Sequence, residues 1–474
     1  MTDFGTLTPA TARDFAWTLA EFACGTDLTR LPLTAVAAAK ANLFDTLACA
    51  VAGSSAPAVA ETRELAAEWG GAPQAGVLVY GDRIPAHHAA WVNGTMAHAR
   101  DYDDTHDAAV LHAGVSVVPA SLAAADLAGG VRGADLLAGV AAGLETICRL
   151  GVATRLTIVE SGFIYTPLLG YFAATVAAAR VHKLDVAQTV NALGIAYSQV
   201  AGNHQVTRDA ALTKRMQPGF AAMAALLSVQ LTLKGVRGAQ NSFDGEDGFF
   251  RVYLRDKYDR EVLLDSLGQR YEFENLSYKP YPCCRFNHAP IGAALELRAR
   301  LGDLARIRRI RVGVNKQAYE AVCTPVGVRK APQTIVQAQF SIPYTVATAL
   351  IDGGVGLVHF TPEALQRPDI LALAAKVEGY VSEEIERRAG RGVTPALVEV
   401  EMDDGSSQAL HLDLPVGGVE RPMSPADFDA KAADCFRVAA RPLADDGPRA
   451  LRRLVDRLES LTDTGELVRA LQAR

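Results

Sequence analysis

The sequence predicts a mainly α-helical protein, in which a large all-helical domain is joined to a smaller α+β lid domain. Apolar residues recur at helical spacing through the first half, and a period-2 alternation begins after residue 275. A length of 474 residues with 49% hydrophobic content also provides an ample core for about two or three domains. We expect the helical domain at residues 1–274, completed by helices at 424–474, and the lid domain at 275–423.

The helical domain is predicted from a series of segments rich in alanine and leucine. In residues 36–51, Val36, Leu43 and Leu47 share one face at helical spacing, and Gly53 then ends the pattern. The same spacing predicts further helices at 57–69, 115–128, 134–150, 167–182, 185–200 and 217–234. Because many of the apolar positions are alanine, we expect these helices to pack closely in a bundle.

The lid domain is predicted from strands and helices that follow one another after residue 275. Residues 309–314 alternate between charged and apolar side chains, as half-buried strands do, and so do 398–402 and 410–414. The Asp-Asp-Gly-Ser-Ser stretch at 403–407 indicates a hairpin turn between the last two strands. Helices are expected at 333–351, at 369–388 and along the last part of the chain.

Composition and charge argue against several classes of protein. The net charge of −6 does not favour nucleic-acid binding, which needs clustered Lys and Arg. The start of the chain lacks the pattern of a signal peptide, and no uninterrupted apolar run reaches the roughly 18 residues that a membrane-spanning helix needs. Seven cysteines are few and odd in number, so a disulfide framework is not expected. We therefore expect a cytoplasmic protein that binds neither nucleic acid nor membranes.

The first cluster of chemically active residues lies at 98–112, where three histidines and four aspartates occur. One interpretation is a solvated acidic loop that caps the next helix. A second is a magnesium and diphosphate site at residues 103–107, although the second metal-binding helix that would confirm it is absent from the sequence. A third is acid–base chemistry, with His112 transferring the proton and with Asp101 and Thr105 orienting substrate or imidazole.

The second cluster is the Thr-Lys-Arg-Met-Gln-Pro-Gly stretch at 213–219, next to a predicted helix start. Lys214 and Arg215 would bring side-chain charge and helix N–H groups together, which suits a carboxylate or a phosphate. The alternative interpretation is a basic pair in a surface turn.

The third cluster is the proline-containing stretch at 278–288, where Lys279 and Arg285 add further positive charge. Cys283 and Cys284 are adjacent, but no second cysteine pair lies at zinc spacing, so a structural zinc is not expected. These thiols are expected to serve in packing, with one of them possible at a pocket.

Sequence motifs for cofactors are absent. The chain has no Gly-x-Gly-x-x-Gly stretch after a strand and no Walker loop, and the acidic spacing at 241–248 does not fit a calcium loop. Two cationic clusters and one cluster of carboxylates and imidazoles therefore indicate a small anionic substrate that is handled by side chains alone.

At these three clusters the chain resembles the MmgE/PrpD family, which includes 2-methylcitrate dehydratase, cis-aconitate decarboxylase and iminodisuccinate epimerase. The resemblance runs nearly end to end. Its motifs in this sequence are Asn93-Gly94, Ala97-His98, Asp101-Tyr102-Asp103-Asp104-Thr105, His112, Lys214, Gln217-Pro218-Gly219, Lys279-Pro280-Tyr281-Pro282-Cys283-Cys284-Arg285, Ala338-Gln339-Phe340-Ser341-Ile342-Pro343-Tyr344 and Met423-Ser424-Pro425.

The resemblance implies an active site in the cleft between the two domains, in a homodimer that uses neither metal nor organic cofactor. It also implies a di- or tricarboxylate substrate with a bond made or broken next to a carboxylate. The residues expected by resemblance to be catalytic are His112, Asp101, Lys214 and Lys279. Substrate contacts are expected from Thr105, Asp104, Arg215, Cys284, Arg285 and Ile164.

The chemistry of these residue types agrees with the elimination of water from a hydroxy acid. Lys214 and Lys279 would neutralise carboxylates and the charge that builds as a proton leaves, and His112 would move that proton. Asp101 would set the imidazole tautomer or accept a substrate hydroxyl. The expected function is a 2-methylcitrate dehydratase-like lyase. The alternatives are a decarboxylase, an isomerase or epimerase on a related acid, and a non-catalytic acid-binding protein.

The sequence departs from the family pattern at three positions. Ile164 stands where many members carry a histidine, and Cys284 stands where the decarboxylase branch carries one. The family's His-Pro pair is His112-Ala113 here. These changes make the predicted pocket less cationic and more apolar. We hypothesise a substrate with fewer carboxylates, or one that bears a hydrophobic part.

Overall fold

The first half of the chain forms a bundle of helices, as described by a computed structural model that covers residues 13–388 and 395–473. A short hairpin of β1 (Ala75–Gly76) and β2 (Arg83–Ile84) interrupts the series. The helices are α1 (Phe15–Gly25), α2 (Leu33–Gly53), α3 (Val59–Glu68), α4 (Ala86–His98), α5 (Gly114–Leu127), α6 (Gly133–Ala153), α7 (Ile158–Ser161), α8 (Tyr165–Val181), α9 (Val186–Tyr197), α10 (Gln205–Arg208), α11 (Thr213–Leu233), α12 (Phe249–Val252) and α13 (Arg260–Leu264).

The lid part of the chain combines one four-stranded sheet with short helices. Its strands are β3 (Ile307–Val314), β4 (Val377–Val381), β5 (Ala396–Met402) and β6 (Ser407–Leu412). Its helices are α14 (His288–Arg298), α15 (Lys316–Ala318), α16 (Val326–Lys330), α17 (Ile335–Gln339), α18 (Ile342–Asp352), α19 (Pro368–Ala375) and α20 (Glu383–Arg388). The chain then forms α21 (Pro425–Arg437), α22 (Gly447–Asp456) and α23 (Gly465–Ala470).

The sheet has the order β4-β3-β5-β6, with β3 parallel to β4 and antiparallel to β5. The predicted hairpin is present, because β5 and β6 pair antiparallel with Val398 opposite Leu410. In β5 every second residue is buried, which matches the alternation read from the sequence.

Two hydrophobic cores reflect this arrangement. One core joins the helices before residue 276 to α21, α22 and α23, and the other lies between the sheet and the lid helices over residues 283–412. The predicted fold class, a large helical part with a smaller α+β part, is therefore confirmed. The expected domain limits at 274/275 and 423/424 stay a prediction.

The bundle brings α4 and α11 unusually close together. A side-chain carbon added at Gly94 would lie 2.7 Å from the Cα atom of Gly219, so only glycine fits at this crossing. Trp91 stacks on Phe220 one turn away. Because the helices run antiparallel, the end of α4 lies beside the start of α11, and this contact brings His98 to Lys214.

Two helices predicted in the lid are shorter in the structure than their sequence pattern indicates. The helix expected at 369–388 ends at Ala375, because residues 377–381 pair with β3 as strand β4. At Gly379, a side-chain carbon would lie 2.4 Å from the Cys323 sulfur atom, which shows how tightly this strand packs. The helix expected at 333–351 is divided at Ser341, whose hydroxyl caps α18 by accepting from the Tyr344 backbone N–H.

Among the described residues, three helices are long and apolar enough to cross a membrane when judged by length and composition alone. They are α2, α6 and α11, and within their most apolar windows 72%, 94% and 61% of the residues are buried in the protein. None of the three is an uninterrupted apolar run, because each contains charged residues. The expectation that the protein binds no membrane stays a prediction.

Candidate active site

A cavity of about 720 Å³ lies between the helical part and the lid. Its walls come from the loop between α4 and α5, the starts of α8 and α11, the stretch around 279–286, and lid residues between 317 and 340. Most of the predicted site residues line it: Asp101, Thr105, His112, Ile164, Lys214, Lys279, Cys284 and Arg285. Of the predicted site residues, Asp104 and Arg215 do not line this cavity.

Two lysines from distant stretches of the chain meet at one carboxylate. The Nζ atoms of Lys214 and Lys279 lie 3.5 and 3.3 Å from Asp101 Oδ1. Burial alone would raise the pKa of Asp101, but the two ammonium groups outweigh it and the pKa is lowered. Likewise, burial would lower the pKa of Lys279, but Asp101 raises it. Asp101 is therefore a carboxylate and Lys279 an ammonium, and two lysines that share one carboxylate leave one net positive charge.

The backbone of Asp101 contributes to this geometry. Its φ of 53° is in the left-handed region, which aspartate tolerates better than most residues. Lys279 Nζ also donates to the Asp101 carbonyl oxygen at 2.9 Å, so the ammonium is held by both the side chain and the main chain.

A chain of hydrogen bonds leads from Lys214 to His112. Lys214 Nζ lies 3.1 Å from His98 Nε2, and His98 Nδ1 lies 3.0 Å from Asp103 Oδ2. The same Asp103 oxygen lies 2.8 Å from His112 Nδ1. Asp103 is fully buried, which would raise its pKa, but His112 and His98 lower the pKa well below its usual range. The carboxylate therefore accepts hydrogen bonds from both imidazoles.

These contacts fix the tautomers of both rings. Burial lowers the pKa of His98 to about 4, even though Asp103 acts in the opposite direction, so His98 is neutral and its Nε2 accepts from Lys214. His112 Nδ1 also lies 2.7 Å from the Asp104 carbonyl oxygen, so both of its neighbours are acceptors and Nδ1 carries a proton. Among the described residues His112 Nε2 has no hydrogen-bond partner, and this atom is left for a substrate.

Asp104 has a different place from the one expected. Its carboxylate oxygens accept from the backbone N–H groups of Ala113 and Gly114 at 2.8 and 3.0 Å, at the start of α5. The side chain is fully buried and does not line the cavity. The expected substrate contact is therefore corrected: both oxygens are used to cap a helix and to hold the segment that carries His112.

Arg215 also has a different place. It lies in the first turn of α11, which begins at Thr213 rather than at residue 217. Its Nη2 donates to Gln339 Oε1 at 3.0 Å, and burial lowers its pKa to about 10. Its guanidinium is buried and links the lid to α11, and the residue lines a small recess beside Lys214 and Asp101, so its expected substrate contact stays a prediction.

Thr105 and Arg285 line the cavity but are held by a second aspartate. Asp107 Oδ1 accepts from the Thr105 hydroxyl at 2.8 Å and from Arg285 Nε at 3.3 Å, and Arg285 Nη2 donates to Oδ2 at 3.2 Å. The Arg285 charge is thus paired. The solvated-loop interpretation does not describe Asp101, Asp103 and Asp104, which are buried, although Asp107 is half-buried. The magnesium interpretation is not favoured, because the Asp107 oxygens already accept from Thr105 and Arg285 and those of Asp104 accept from backbone N–H groups.

Two of the three positions that depart from the family pattern, Ile164 and Cys284, line the cavity. Ile164 immediately precedes α8, whose Thr166 hydroxyl accepts from the His112 backbone N–H at 2.9 Å. Burial raises the pKa of Cys284 to about 11, so its thiol is neutral at pH 7 and is a poor nucleophile.

The residue types of His98, Asp103 and His112 are also those of metal sites, and one ligand atom from each lies within 4.8 Å of the others. Both Nδ1 atoms, however, face one carboxylate oxygen as donors, and the Lys214 ammonium faces the other nitrogen of His98. A metal ion here would be repelled by that ammonium. The arrangement fits a hydrogen-bonded chain, and the expectation of a metal-free site stays a prediction.

A second buried ion pair supports the catalytic loop from behind. Lys431 of α21 lies 2.6 Å from Asp45 Oδ1 of α2, and its Nζ donates to the Tyr102 carbonyl oxygen at 2.7 Å. Tyr102 lies between Asp101 and Asp103 in sequence. Sequence reasoning missed Lys431 because nothing near it in the chain signals a site.

Other parts of the site were also missed. His98 and Asp103 belong to the cluster recognised in the sequence, but neighbouring residues of one type give no sign of which of them faces which partner. Arg329 and Phe340 line the cavity from the lid, and Lys214 Nζ lies 5.4 Å from the centre of the Phe340 ring. Phe340 belongs to the resembling stretch at 338–344, but its spacing does not show that it faces Lys214, and no sequence pattern connects Arg329 to the lysines.

Known proteins resemble the chain over most of its length. Residues 18–261 match the MmgE/PrpD N-terminal domain, and residues 281–455 match the MmgE/PrpD C-terminal domain. The chain is 26% identical over 461 residues to cis-aconitate decarboxylase of Aspergillus terreus, covering 93% of this chain and 92% of that protein. It is 26% identical over 404 residues to cis-aconitate decarboxylase of Homo sapiens, covering 82% of this chain and 80% of that protein. The two domain matches span most of the chain, and the protein therefore belongs to the MmgE/PrpD family.

Proposed function

We propose that the protein is a cofactor-independent lyase that acts on a small carboxylate. Membership of the family, with decarboxylases among its relatives, supports a lyase-type enzyme of this kind. The observation that carries the proposal is the convergence of Lys214, Lys279 and His112 on one cavity, with the imidazole tautomer set by Asp103. The lysines, which can bind a carboxylate, and the imidazole nitrogen, which can carry a proton, therefore line the same cavity.

The lysines bind the substrate carboxylate and stabilise the transition state. Lys214 and Lys279 share Asp101, so one positive charge remains for the substrate. Removal of a proton from the carbon beside a carboxylate moves negative charge onto the carboxylate oxygens. Ammonium groups already fixed by hydrogen bonds stabilise that charge without having to reorganise.

In the elimination of water, His112 Nε2 takes the proton from the carbon beside the carboxylate. The electron pair of the broken C–H bond forms a carbon–carbon double bond, and the neighbouring C–O bond breaks. The departing hydroxyl takes the proton back from the imidazolium and leaves as water, so the ring returns to its neutral form. Asp103 stabilises the imidazolium while it exists.

Decarboxylation is the second candidate, because the cis-aconitate decarboxylases are relatives over most of the chain. In that reaction a C–C bond breaks, carbon dioxide leaves, and the carbanion takes a proton from the imidazolium of His112. Ile164 and Cys284 replace two candidate imidazoles of the family, so we place dehydration of the 2-methylcitrate dehydratase type first. Epimerisation uses the same proton abstraction with return of the proton to the opposite face.

Product analysis separates these reactions. Purified protein is incubated with citrate, 2-methylcitrate and cis-aconitate, and products are followed by NMR for a new alkene, loss of carbon dioxide or changed stereochemistry. Efficient turnover of any of these acids would count against the altered pocket hypothesised from Ile164 and Cys284.

The mutation His112→Ala tests the role of the imidazole. We expect kcat to fall about 10²- to 10⁴-fold, as for loss of a general acid–base group, with thermal unfolding unchanged. The control is His411→Ala, a partly exposed histidine of β6 outside the cavity, which should keep full activity. Full turnover in His112→Ala would refute the proposed mechanism. If the unaltered protein turns over none of the acids tested, the non-catalytic alternative is favoured.

We also propose, as the sequence predicts, that the enzyme works as a cytoplasmic homodimer. The dimer is testable by sedimentation of the purified protein, where a monomer would contradict it.

A further inference from the structure

Arg329 is a cation in the lid that has no carboxylate partner within residues 13–388 and 395–473. It lies in α16 and lines the same cavity as the lysines. Its Nε donates to the Thr324 carbonyl oxygen at 2.8 Å, and its Nη2 donates to the Ala321 carbonyl oxygen at 3.1 Å. A guanidinium has five N–H donors, so these two bonds fix its orientation and leave three donors for a ligand.

The other cations of the cavity wall are matched differently. The positive charge of Arg285 is cancelled by Asp107, and the two lysines keep one net charge after sharing Asp101. At the exposed rim, Arg208, Asp209 and Glu320 also line the cavity, where solvent and salt screen their charges. The inner cavity thus carries one positive charge at the lysines and one at Arg329.

These two charges face the same interior. Burial lowers the pKa of Arg329, and the next contribution comes from the Cys284 thiol, which acts in the opposite direction. Lys279 and Lys214 in turn lower the pKa of that thiol, although burial raises it more. Cys284 also lines the cavity, together with Arg329 and both lysines.

We infer that Arg329 binds a second carboxylate of the substrate, and that among the di- and tricarboxylates implied by the family resemblance the cavity selects a dicarboxylate. One carboxylate is held by Lys214 and Lys279 next to His112, and the other is bound by the free edge of the lid guanidinium. This inference rests on the proposed function and extends it, since a dicarboxylate matches the two unneutralised charges of the inner cavity. Binding of the second carboxylate also ties the lid to the helical part.

The test compares Arg329→Gln with Lys330→Gln, which removes the same charge from the neighbouring residue. Lys330 Nζ donates to the Ala375 carbonyl oxygen and does not line the cavity. Dissociation constants are measured by calorimetry for three unreactive acids: butyrate, glutarate and tricarballylate. Hydrogen bonds to charged groups contribute about 1.5–3 kcal/mol, so we expect Arg329→Gln to weaken the binding of glutarate roughly 10- to 100-fold.

The same variant should leave butyrate binding unchanged, and Lys330→Gln should leave all three acids unchanged. In the unaltered protein, tricarballylate should bind no more tightly than glutarate. Arg329→Lys keeps the charge but loses the planar fork, so we expect a loss of a few fold for glutarate only. This variant also provides the comparison if Arg329→Gln does not fold.

Two results would overturn the inference. Glutarate binding that survives Arg329→Gln would show that no second carboxylate is held there. An equal loss for butyrate and glutarate would show that Arg329 only shapes the cavity. Failure of the proposed function itself looks different, because then neither glutarate nor butyrate binds the unaltered protein.

Discussion

At the level of single residues, the hydrogen-bonded chain from Lys214 to His112 makes His98 a positioning residue. It is almost completely buried at the cavity wall, where it accepts from Lys214 and donates to Asp103. The His98 ring thereby links Lys214, which stabilises negative charge, to Asp103, which in turn holds the proton-transferring His112.

Two substitutions of His98 separate its two bonds. In His98→Asn the amide nitrogen can replace Nδ1 and donate to Asp103, but Lys214 loses its acceptor. In His98→Gln the amide oxygen can replace Nε2 and accept from Lys214, but Asp103 loses one donor. A carboxylate with one donor fewer stabilises the imidazolium of His112 more strongly. We therefore expect the acidic side of the pH profile of kcat/KM, here called the acid limb, to move to higher pH by about one unit in His98→Gln.

His98→Asn is expected to leave that acid limb in place and to lower kcat instead, because Lys214 is no longer held. The pH dependence of kcat/KM for both variants is the measurement. Identical profiles in the two variants would mean that His98 only fills space.

The sequence predicted much of the site at this level and missed the division of labour within it. Asp101, His112, Lys214 and Lys279 were expected together and do line one cavity. Asp103 and Asp104 were not distinguishable, since they have the same chemistry and are adjacent. One accepts from two imidazoles and the other caps a helix, and only the path of the backbone through the loop decides between these roles.

At the level of elements, the start of α5 depends on a residue from outside the helix. Ala113, which precedes the helix, cannot cap it with its side chain, and Asp104 supplies both acceptors instead. Gly114 leaves room for this contact: a side-chain carbon there would lie 2.2 Å from Thr46 Oγ1 and 2.8 Å from Asp104 Oδ1.

Asp104→Ala should therefore destabilise the protein by about 2 kcal/mol, because two buried N–H groups lose their acceptors. Activity should fall as well, since the same segment carries His112. Urea unfolding and kcat are the measurements, and Asp209→Ala, an exposed aspartate at the cavity rim, is the control that should change stability little. Unchanged stability in Asp104→Ala would contradict a structural role for this carboxylate.

Elements were predicted best where local spacing and tertiary packing agree. The β5–β6 hairpin and the long helices of the bundle lie close to their predicted positions. Strand β4 was missed because Val377 and Tyr380 fit a helical pattern locally, whereas pairing with β3 decides their conformation. Such pairing between distant segments cannot be read from local spacing.

At the level of the whole molecule, the buried pair of Lys431 and Asp45 joins the last part of the chain to the first. Both side chains are almost completely buried. Burial raises the pKa of Asp45 to about 6 although Lys431 lowers it, and the pKa of Lys431 is raised by Asp45 despite burial. Sequence reasoning expected the C-terminal helices to pack on the helical part, but not that one of them holds the catalytic loop.

Lys431→Met should destabilise the protein by about 3–5 kcal/mol near neutral pH, since it leaves an unpaired buried carboxylate. Because the folded pKa of Asp45 lies above its ordinary value of 3.8, its contribution is fully present below pH 3.8 and is lost as pH rises to about 6. Without Lys431 that pKa rises further, so stability keeps falling above pH 6. The difference from the unaltered protein should therefore widen between pH 6 and pH 8.

Urea unfolding at the two pH values measures this widening. The double variant Asp45→Asn with Lys431→Met removes both charges and should recover most of the loss, with little remaining pH dependence. A loss in Lys431→Met that is the same at both pH values would argue against an ionised Asp45 as its cause.

The bond from Lys431 to the Tyr102 carbonyl also has a consequence for biosynthesis. The ribosome makes the loop that carries Asp101 and Asp103 early, but it adds the lysine that anchors this loop more than 300 residues later. During most of translation the nascent polypeptide therefore holds its acid–base groups without their support. The active site is therefore complete only after α21 has left the ribosome and packed against this loop.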